Sequence, residues 1–386
     1  MPILNATRRV KMARSAHAYV RGSTLQFYAW LQTKSGRSIP EGPSIWICGD
    51  CHVGNLGPVA RADGKVAVQI RDLDQTVIGN PAHDLIRLAL SLASAARGSD
   101  LPGVTTAVMM EQMMQGYEQA LVAPRRAVST ADDDLTPIQK VLDLAYRRRW
   151  RHLAEERIED VRPEIPLGKR FWTLTDTEQS SIAALFADEH VAAKVVGLKS
   201  REPGTKLKVI DAAYWMKGCS SLGRARFAVL LAVGSKRHRQ YCLIDLKEAT
   251  AAAAPRSERF HGSDADRVVT GARNLSPYLG DRMMAVTLGK TPIVMRELMP
   301  QDLKFDLVNL TRDEAVAAAR FLAAVVGKSH GRQLTQRASR AWRAEIRKHR
   351  SKRLDAPGWL WSSVVALVAE HERGYLEHCR QYAASI

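Results

Sequence analysis

No apolar run in this 386-residue chain is long enough to cross a bilayer. The stretch from Leu85 to Ala96 is short and broken by Arg87, and Met1 to Val10 lacks the apolar core of a signal peptide, so a cytoplasmic protein is expected. Cysteine is scarce. The five cysteines are an odd number in a chain too large to need disulfide staples, which predicts free thiols in a reducing compartment. Acidic residues are in deficit, 40 against 57 lysines and arginines, and the formal net charge of +17 attracts polyanions such as nucleotides, nucleic acid or anionic lipid surfaces. Internal repeats and low-complexity tracts are absent, with Ala249 to Pro255 the one plausible flexible connection.

The 46% apolar content supports a large core, in one bilobal domain or two ordinary ones. Residues 5 to 34 read as a helix or helix pair. After Pro40, Gly42 and Pro43, a short strand covers Ile45 to Cys48, and a second, Val66 to Ile70, follows the hairpin signal Ala62-Asp63-Gly64. Helical spacing then runs over Asp84 to Ala96 and Thr105 to Val122, and residues 136 to 195 continue largely helical. Near residue 205 the pattern changes to three strands, Val209 to Met216, Arg226 to Val233 and Tyr241 to Lys247, which predict an antiparallel meander. A helix over Asp264 to Leu275, a strand over Thr291 to Leu298 and an Ala-rich helix over Glu314 to His330 complete the pattern.

Two stretches concentrate the positive charge: Arg332 to Arg353, opposed only by Glu345, and the cluster Arg147, Arg148, Arg149 and Arg151. Both are helical in pattern, and they read as solvated faces or as a surface for nucleic acid.

The first chemical constellation follows the first strand. In Cys48-Gly49-Asp50-Cys51-His52-Val53-Gly54-Asn55 a carboxylate stands five residues before an amide at the head of a hairpin, and Asp72 ends that hairpin. Phosphoryl transfer needs one group to orient the acceptor hydroxyl and oxygen ligands for Mg²⁺ on the phosphates, and an Asp, an Asn and a second Asp supply both. A structural alternative is that Asp50 makes an Asx turn while Asp72 and Asp84 cap a turn and a helix. Cys48 and Cys51 form a C-x-x-C, but no further zinc ligands are evident and no helix directly follows, so a metal or redox motif is the weaker reading.

The second constellation is Gly218-Cys219-Ser220-Ser221-Leu222-Gly223, between two predicted strands. Arg224 and Ala225 stand where a Walker loop needs Lys and Ser or Thr. Glycines in a strand-loop-strand setting let backbone N–H groups approach phosphate, so Gly218, Ser220, Ser221 and Gly223 are candidate nucleotide contacts, or else an ordinary hairpin. Lys247 ends the third strand, where kinases hold the lysine that pairs with the α- and β-phosphates. Its partner is open: the helix over 264 to 275 offers Asp264 and Asp266 but no Glu, and Glu248 alternates to the other face.

The segment Gly49 to Asn55 resembles the catalytic loop of the aminoglycoside and choline kinase branch of the kinase-like fold. Ile70-Arg71-Asp72-Leu73-Asp74, with Gly79-Asn80-Pro81-Ala82-His83-Asp84-Leu85, resembles that branch's metal-binding Asp and its later helix entry. The resemblance implies Asp50 as catalytic base, Asn55 and Asp72 as metal ligands and Asp84 as a carboxylate steadying the loop; Cys48 departs from the usual His. Only 49 residues precede Asp50, so the glycine-rich lobe must follow the catalytic loop, in circularly permuted order.

Met12-Ala13-Arg14-Ser15, Tyr19-Val20-Arg21-Gly22, the Cys48 to Asn55 loop, Gly218 to Gly223 and Leu246-Lys247-Glu248-Ala249 together resemble the bacterial family catalogued as domain of unknown function 2252. The fold implied is α+β and bilobal, protein-kinase-like, with a small antiparallel β lobe and a large mainly helical one. Its segments would be 1–199 (helical lobe with the 46–72 hairpin), 200–300 (β-rich lobe) and 301–386 (hinge and return). The expected function is an ATP- and Mg-dependent phosphotransferase. Alternatives are a nucleotide-sensing pseudokinase and a basic nucleic-acid-binding protein.

Overall fold

Apolar spacing and caps account for most of the elements. The computed structural model describes residues 10, 13, 19, 23–33, 38–126, 128, 135–158, 164–197, 205–216, 224–235, 239–305, 309–348 and 356–382. The described elements begin with α1 (Thr24–Leu31), followed by β1 (Ile45–Ile47), the hairpin β2 (Leu56–Ala60) and β3 (Val66–Ile70), and β4 (Val77–Gly79). Next come α2 (Ala82–Gly98), α3 (Gly103–Val122), α4 (Thr136–Arg147), α5 (Trp150–Ile158), β5 (Phe171–Trp172), α6 (Asp176–Ala187) and α7 (Glu189–Val196). The second half holds β6 (Leu207–Trp215), β7 (Arg226–Val233), β8 (Gln240–Glu248), α8 (Asp264–Leu275), β9 (Met283–Leu288), β10 (Thr291–Leu298), α9 (Arg312–Gly331), α10 (Gln336–Arg347) and α11 (Gly358–Tyr382). The architecture is mixed α+β with small antiparallel sheets. Among the described residues no helix is long and apolar enough to cross a membrane.

The largest sheet has the order β5-β6-β7-β8-β10-β9, with every neighbouring pair antiparallel. Alternation along β7 and β8 gives it two apolar faces. Val229, Leu231, Ile244 and Leu246 meet Ile182 and Phe186 of α6 and Val191 and Val195 of α7. Ala228, Leu230 and Leu243 meet Leu153, Ala154 and Ile158 of α5. The sheet's packing therefore reaches upstream of residue 200, because α5 to α7 find their apolar partners there.

The remaining helices share a separate core built round α2, α3 and α9. A Cβ at Gly116 would lie 2.1 Å from the Arg320 carbonyl oxygen, and one at Gly327 would lie 2.4 Å from that of Tyr117. Glycine on both helices thus lets α3 and α9 meet backbone to backbone, which sets His330 beside Tyr117. Capping boxes start α6 (Thr175, Glu178), α8 (Ser263, Asp266) and α9 (Thr311, Glu314).

Strand β1 pairs with β4, and the hairpin β2–β3 stands as its own two-stranded sheet. Gly49, with a φ of 75°, turns the chain at the end of β1, and a Cβ there would lie 2.1 Å from the Gln75 carbonyl oxygen.

Candidate functional site

The loop after β1 is held from below by a carboxylate. Asp84, in the first turn of α2 and fully buried, accepts the Cys48 backbone N–H at 2.7 Å on Oδ2 and that of Gly49 at 2.9 Å on Oδ1. His330 Nε2 lies 3.2 Å from Oδ2, and its Nδ1 lies 3.0 Å from the Tyr117 hydroxyl, which accepts Trp342 Nε1–H at 2.9 Å. Helices α2, α3, α9 and α10 are joined by this chain of bonds, and Tyr28 adds a hydrogen bond from its hydroxyl to the Gly49 carbonyl. Burial, then the negative charges of Asp84 and Asp50, push the Tyr28 phenol well above its ordinary range.

Asp50 stands on the loop above this support. Its Oδ1 accepts Arg87 Nε–H at 2.9 Å from a fully buried guanidinium stem, while Oδ2 lies 4.0 Å from His52 Nε2. Its side chain keeps 16% exposure. Asn55 donates from Nδ2 to the Asp50 carbonyl at 3.0 Å, which leaves Oδ1 of the amide for another partner. The Asn55 carbonyl accepts the Arg71 N–H at 2.7 Å, so the hairpin places Asn55 beside the segment that begins at Asp72.

Asp72 is exposed, although protein surrounds much of it. Among the described residues its Oδ1 accepts a 3.3 Å contact from the Asp74 N–H and no other. Burial opposes its ionisation, but Lys247, Arg296 and Arg226 outweigh that and hold its carboxyl well below the usual range. Burial and the charge of Asp72 push Asp74 up. Lys247 reaches Asp74 from β8, closing an ion pair between residues 173 apart in sequence. The structure thus brings Asp50, Asn55, Asp72 and Lys247 to one region, and it supplies the lysine's partner from the loop after β3. Helix α8 contributes differently: Arg267 donates to the carbonyls of Asp74, Thr76 and Thr250, while Asp264 pairs with Arg267.

Gly218, Ser220, Ser221 and Gly223 lie outside the described residues, as do Arg14, Ser15, Arg21 and Gly22. Sulfur atoms of Cys48 and Cys51 and an oxygen of Asp84 lie within 4.8 Å of one another. They fit an ion poorly, because Asp84 already carries three hydrogen-bonding contacts. The mutual thiol hydrogen bond and burial push Cys48 well up, and burial also raises Cys51 although its bond to Cys48 works the other way, so neither is poised as a thiolate ligand. In the basic stretch, Arg343 and Arg347 converge on the buried carboxylate of Glu118, which makes part of that stretch structural.

Sequence reasoning missed Arg87, Arg267 and the pairing role of Asp74. Only Asp74 had a signal, its Asp-x-Asp spacing from Asp72. No curated protein and no solved structure matches the chain. One family model does match, over residues 1–381, and by that match the chain belongs to the family described as an uncharacterized protein conserved in bacteria (DUF2252).

Proposed function

We propose that this chain is an ATP- and Mg-dependent phosphotransferase with a kinase-like, circularly permuted plan, acting on an acceptor hydroxyl. The observation that carries the reading is the Lys247–Asp74 ion pair, which lays the third strand of a β meander on the segment containing Asp72. A strand lysine held by a carboxylate is the group that recognises phosphate on this plan, and here the carboxylate comes from the loop after β3 where kinases use a helix.

The oxygens present suit Mg²⁺. Asn55 Oδ1 and the Asp72 carboxylate are hard ligands, and Mg²⁺ ordinarily takes few protein oxygens and completes its shell with phosphates and water. The ion would supply charge neutralisation on the triphosphate. Lys247 binds phosphate oxygens by exchanging Asp74 for them. Asp50, with Oδ1 fixed by Arg87, presents Oδ2 to orient the acceptor hydroxyl and receive its proton. Asp84 holds the Asp50 loop in place through the Cys48 and Gly49 amides.

Binding without transfer is a second reading, favoured by the Arg87–Asp50 contact, which occupies one oxygen of the group proposed as the base. Nucleotide turnover across an acceptor panel separates the two. Transfer or hydrolysis in the wild type, lost in Asp50→Asn while ATP affinity stays nearly unchanged, is the expected result. Nucleotide binding with no turnover would favour the second reading, and turnover unchanged in Asp50→Asn would remove Asp50 from the chemistry.

A further inference from the structure

On the β10 side of Lys247, arginines outnumber the carboxylates that bond them among the described residues. Asp245, two residues before Lys247 and on the same face of β8, takes Arg226 through both oxygens and gives Arg296 only a 3.3 Å contact. Asp302 takes Arg282 through both oxygens at 2.9 Å, so Arg71 reaches only the Asp302 carbonyl, at 3.2 Å. Glu156 is shared between Arg148 and Arg157. Among the described residues these three carboxylates thus bond five arginines while Arg71 is left with a backbone carbonyl, so Arg71, Arg157 and Arg296 receive the weaker or shared contacts.

These three come from separate elements: the end of β3, helix α5 and strand β10. Nε of Arg71 and Nε of Arg157 are both buried with no partner among the described residues. The cluster adjoins Asp72: Arg71 precedes it in sequence, Arg296 donates to the Arg71 carbonyl at 3.3 Å, and the Arg296 charge acts on the Asp72 carboxyl. Buried donors left open, on like charges held together, call for an anion, and guanidinium forks match phosphate oxygens in shape and number.

We propose that Arg71, Arg157 and Arg296 form a phosphate subsite beside Asp72, so that the ligand of this cleft carries phosphate on the β10 side of Lys247. For the identity of that ligand the proposal rests on the phosphotransferase reading. A nucleoside directed toward β10 would offer these arginines no anion. The phosphate is therefore either the terminal part of a triphosphate turned toward β10 or a phosphate carried by the acceptor.

The probe is inorganic tripolyphosphate, titrated calorimetrically at low salt in EDTA, so that no metal takes part. Wild type is expected to bind it, and Arg157→Gln and Arg296→Gln to weaken that binding about tenfold each, a clear calorimetric difference. Both side chains keep some exposure, 19% and 25%, which favours retention of the fold, and unfolding curves verify it. Arg340→Gln, on the exposed face of α10, is the control for the general basic field. Competition between ATP and tripolyphosphate assigns the subsite to the triphosphate, and simultaneous binding assigns it to the acceptor. Absence of binding, or an equal loss in Arg340→Gln, overturns the proposal. Because the assay excludes metal, its failure leaves the Asp72 metal reading intact, and failure of that reading in Asp72→Asn leaves this assay unaffected.

Discussion

Asp72 and Asp84 stand twelve positions apart in one stretch of chain, yet the fold treats them in opposite ways. Asp84 is fully buried, and its oxygens are engaged by two backbone amides and an imidazole. Asp72 is exposed, and among the described residues a single long contact touches its carboxylate while a lysine and two arginines act on it from a distance. A carboxylate with its lone pairs taken by the fold stabilises structure. One with open lone pairs in a positive field is available to a ligand.

The contrast breaks most visibly in stability. Asp84→Ala leaves the Cys48 and Gly49 amides and His330 unsatisfied in the core and is expected to cost about 3–5 kcal/mol, since each buried polar group left unpaired costs about 1–3 kcal/mol. Asp72→Asn should stay within about 1 kcal/mol of wild type, as surface substitutions usually do. Urea unfolding at neutral pH compares the two, and equal losses would erase the distinction.

Acid sharpens it next. Burial lowers His83, beside Asp84, and His371, on α11, each to about 4. A histidine whose folded value lies below its unfolded value stabilises fully above the unfolded value of 6.5, and that contribution falls as pH drops toward 4. Each should contribute a slope of about 1.4 kcal/mol per pH unit in that window. His371→Gln should remove one such slope. Asp72, whose folded value is also depressed but from the carboxylate range, adds nothing until pH falls below about 4; a slope lost in Asp72→Asn instead would contradict this division.

A smaller effect probes the support beneath the loop. Tyr117→Phe removes the hydroxyl between Trp342 and His330 and should cost about 1–3 kcal/mol by leaving buried polar groups unpaired. Denaturant midpoints measure this, and a neutral result would show that the relay ends at His330. Smallest of all, Arg340→Ala on exposed α10 should change stability by no more than about 0.5 kcal/mol.

Much of this layout was legible in the sequence. Strand β7, helix α8 and strand β10 have the bounds that the apolar spacing of the sequence implied. Strand β9 carried no clear signal, because most of its residues are only half-buried at a sheet edge and its apolar run has no alternation. The supporting role of Asp84 followed from the resemblance of its helix entry. The lysine's partner did not, because the kinase pattern directs attention to a helix after the strand, and only tertiary packing brings the Asp74 loop to β8. The arginine cluster was illegible for the same reason: residues 71, 157 and 296 share no local pattern.

The most direct test of the account is calorimetric titration of ATP, with and without Mg²⁺, into wild type and Asp72→Asn. The account predicts Mg-dependent binding in the wild type and its loss in Asp72→Asn, whose unfolding curve remains that of the wild type. Equal Mg-dependent binding by the folded variant would show that Asp72 is not the open ligand in this fold.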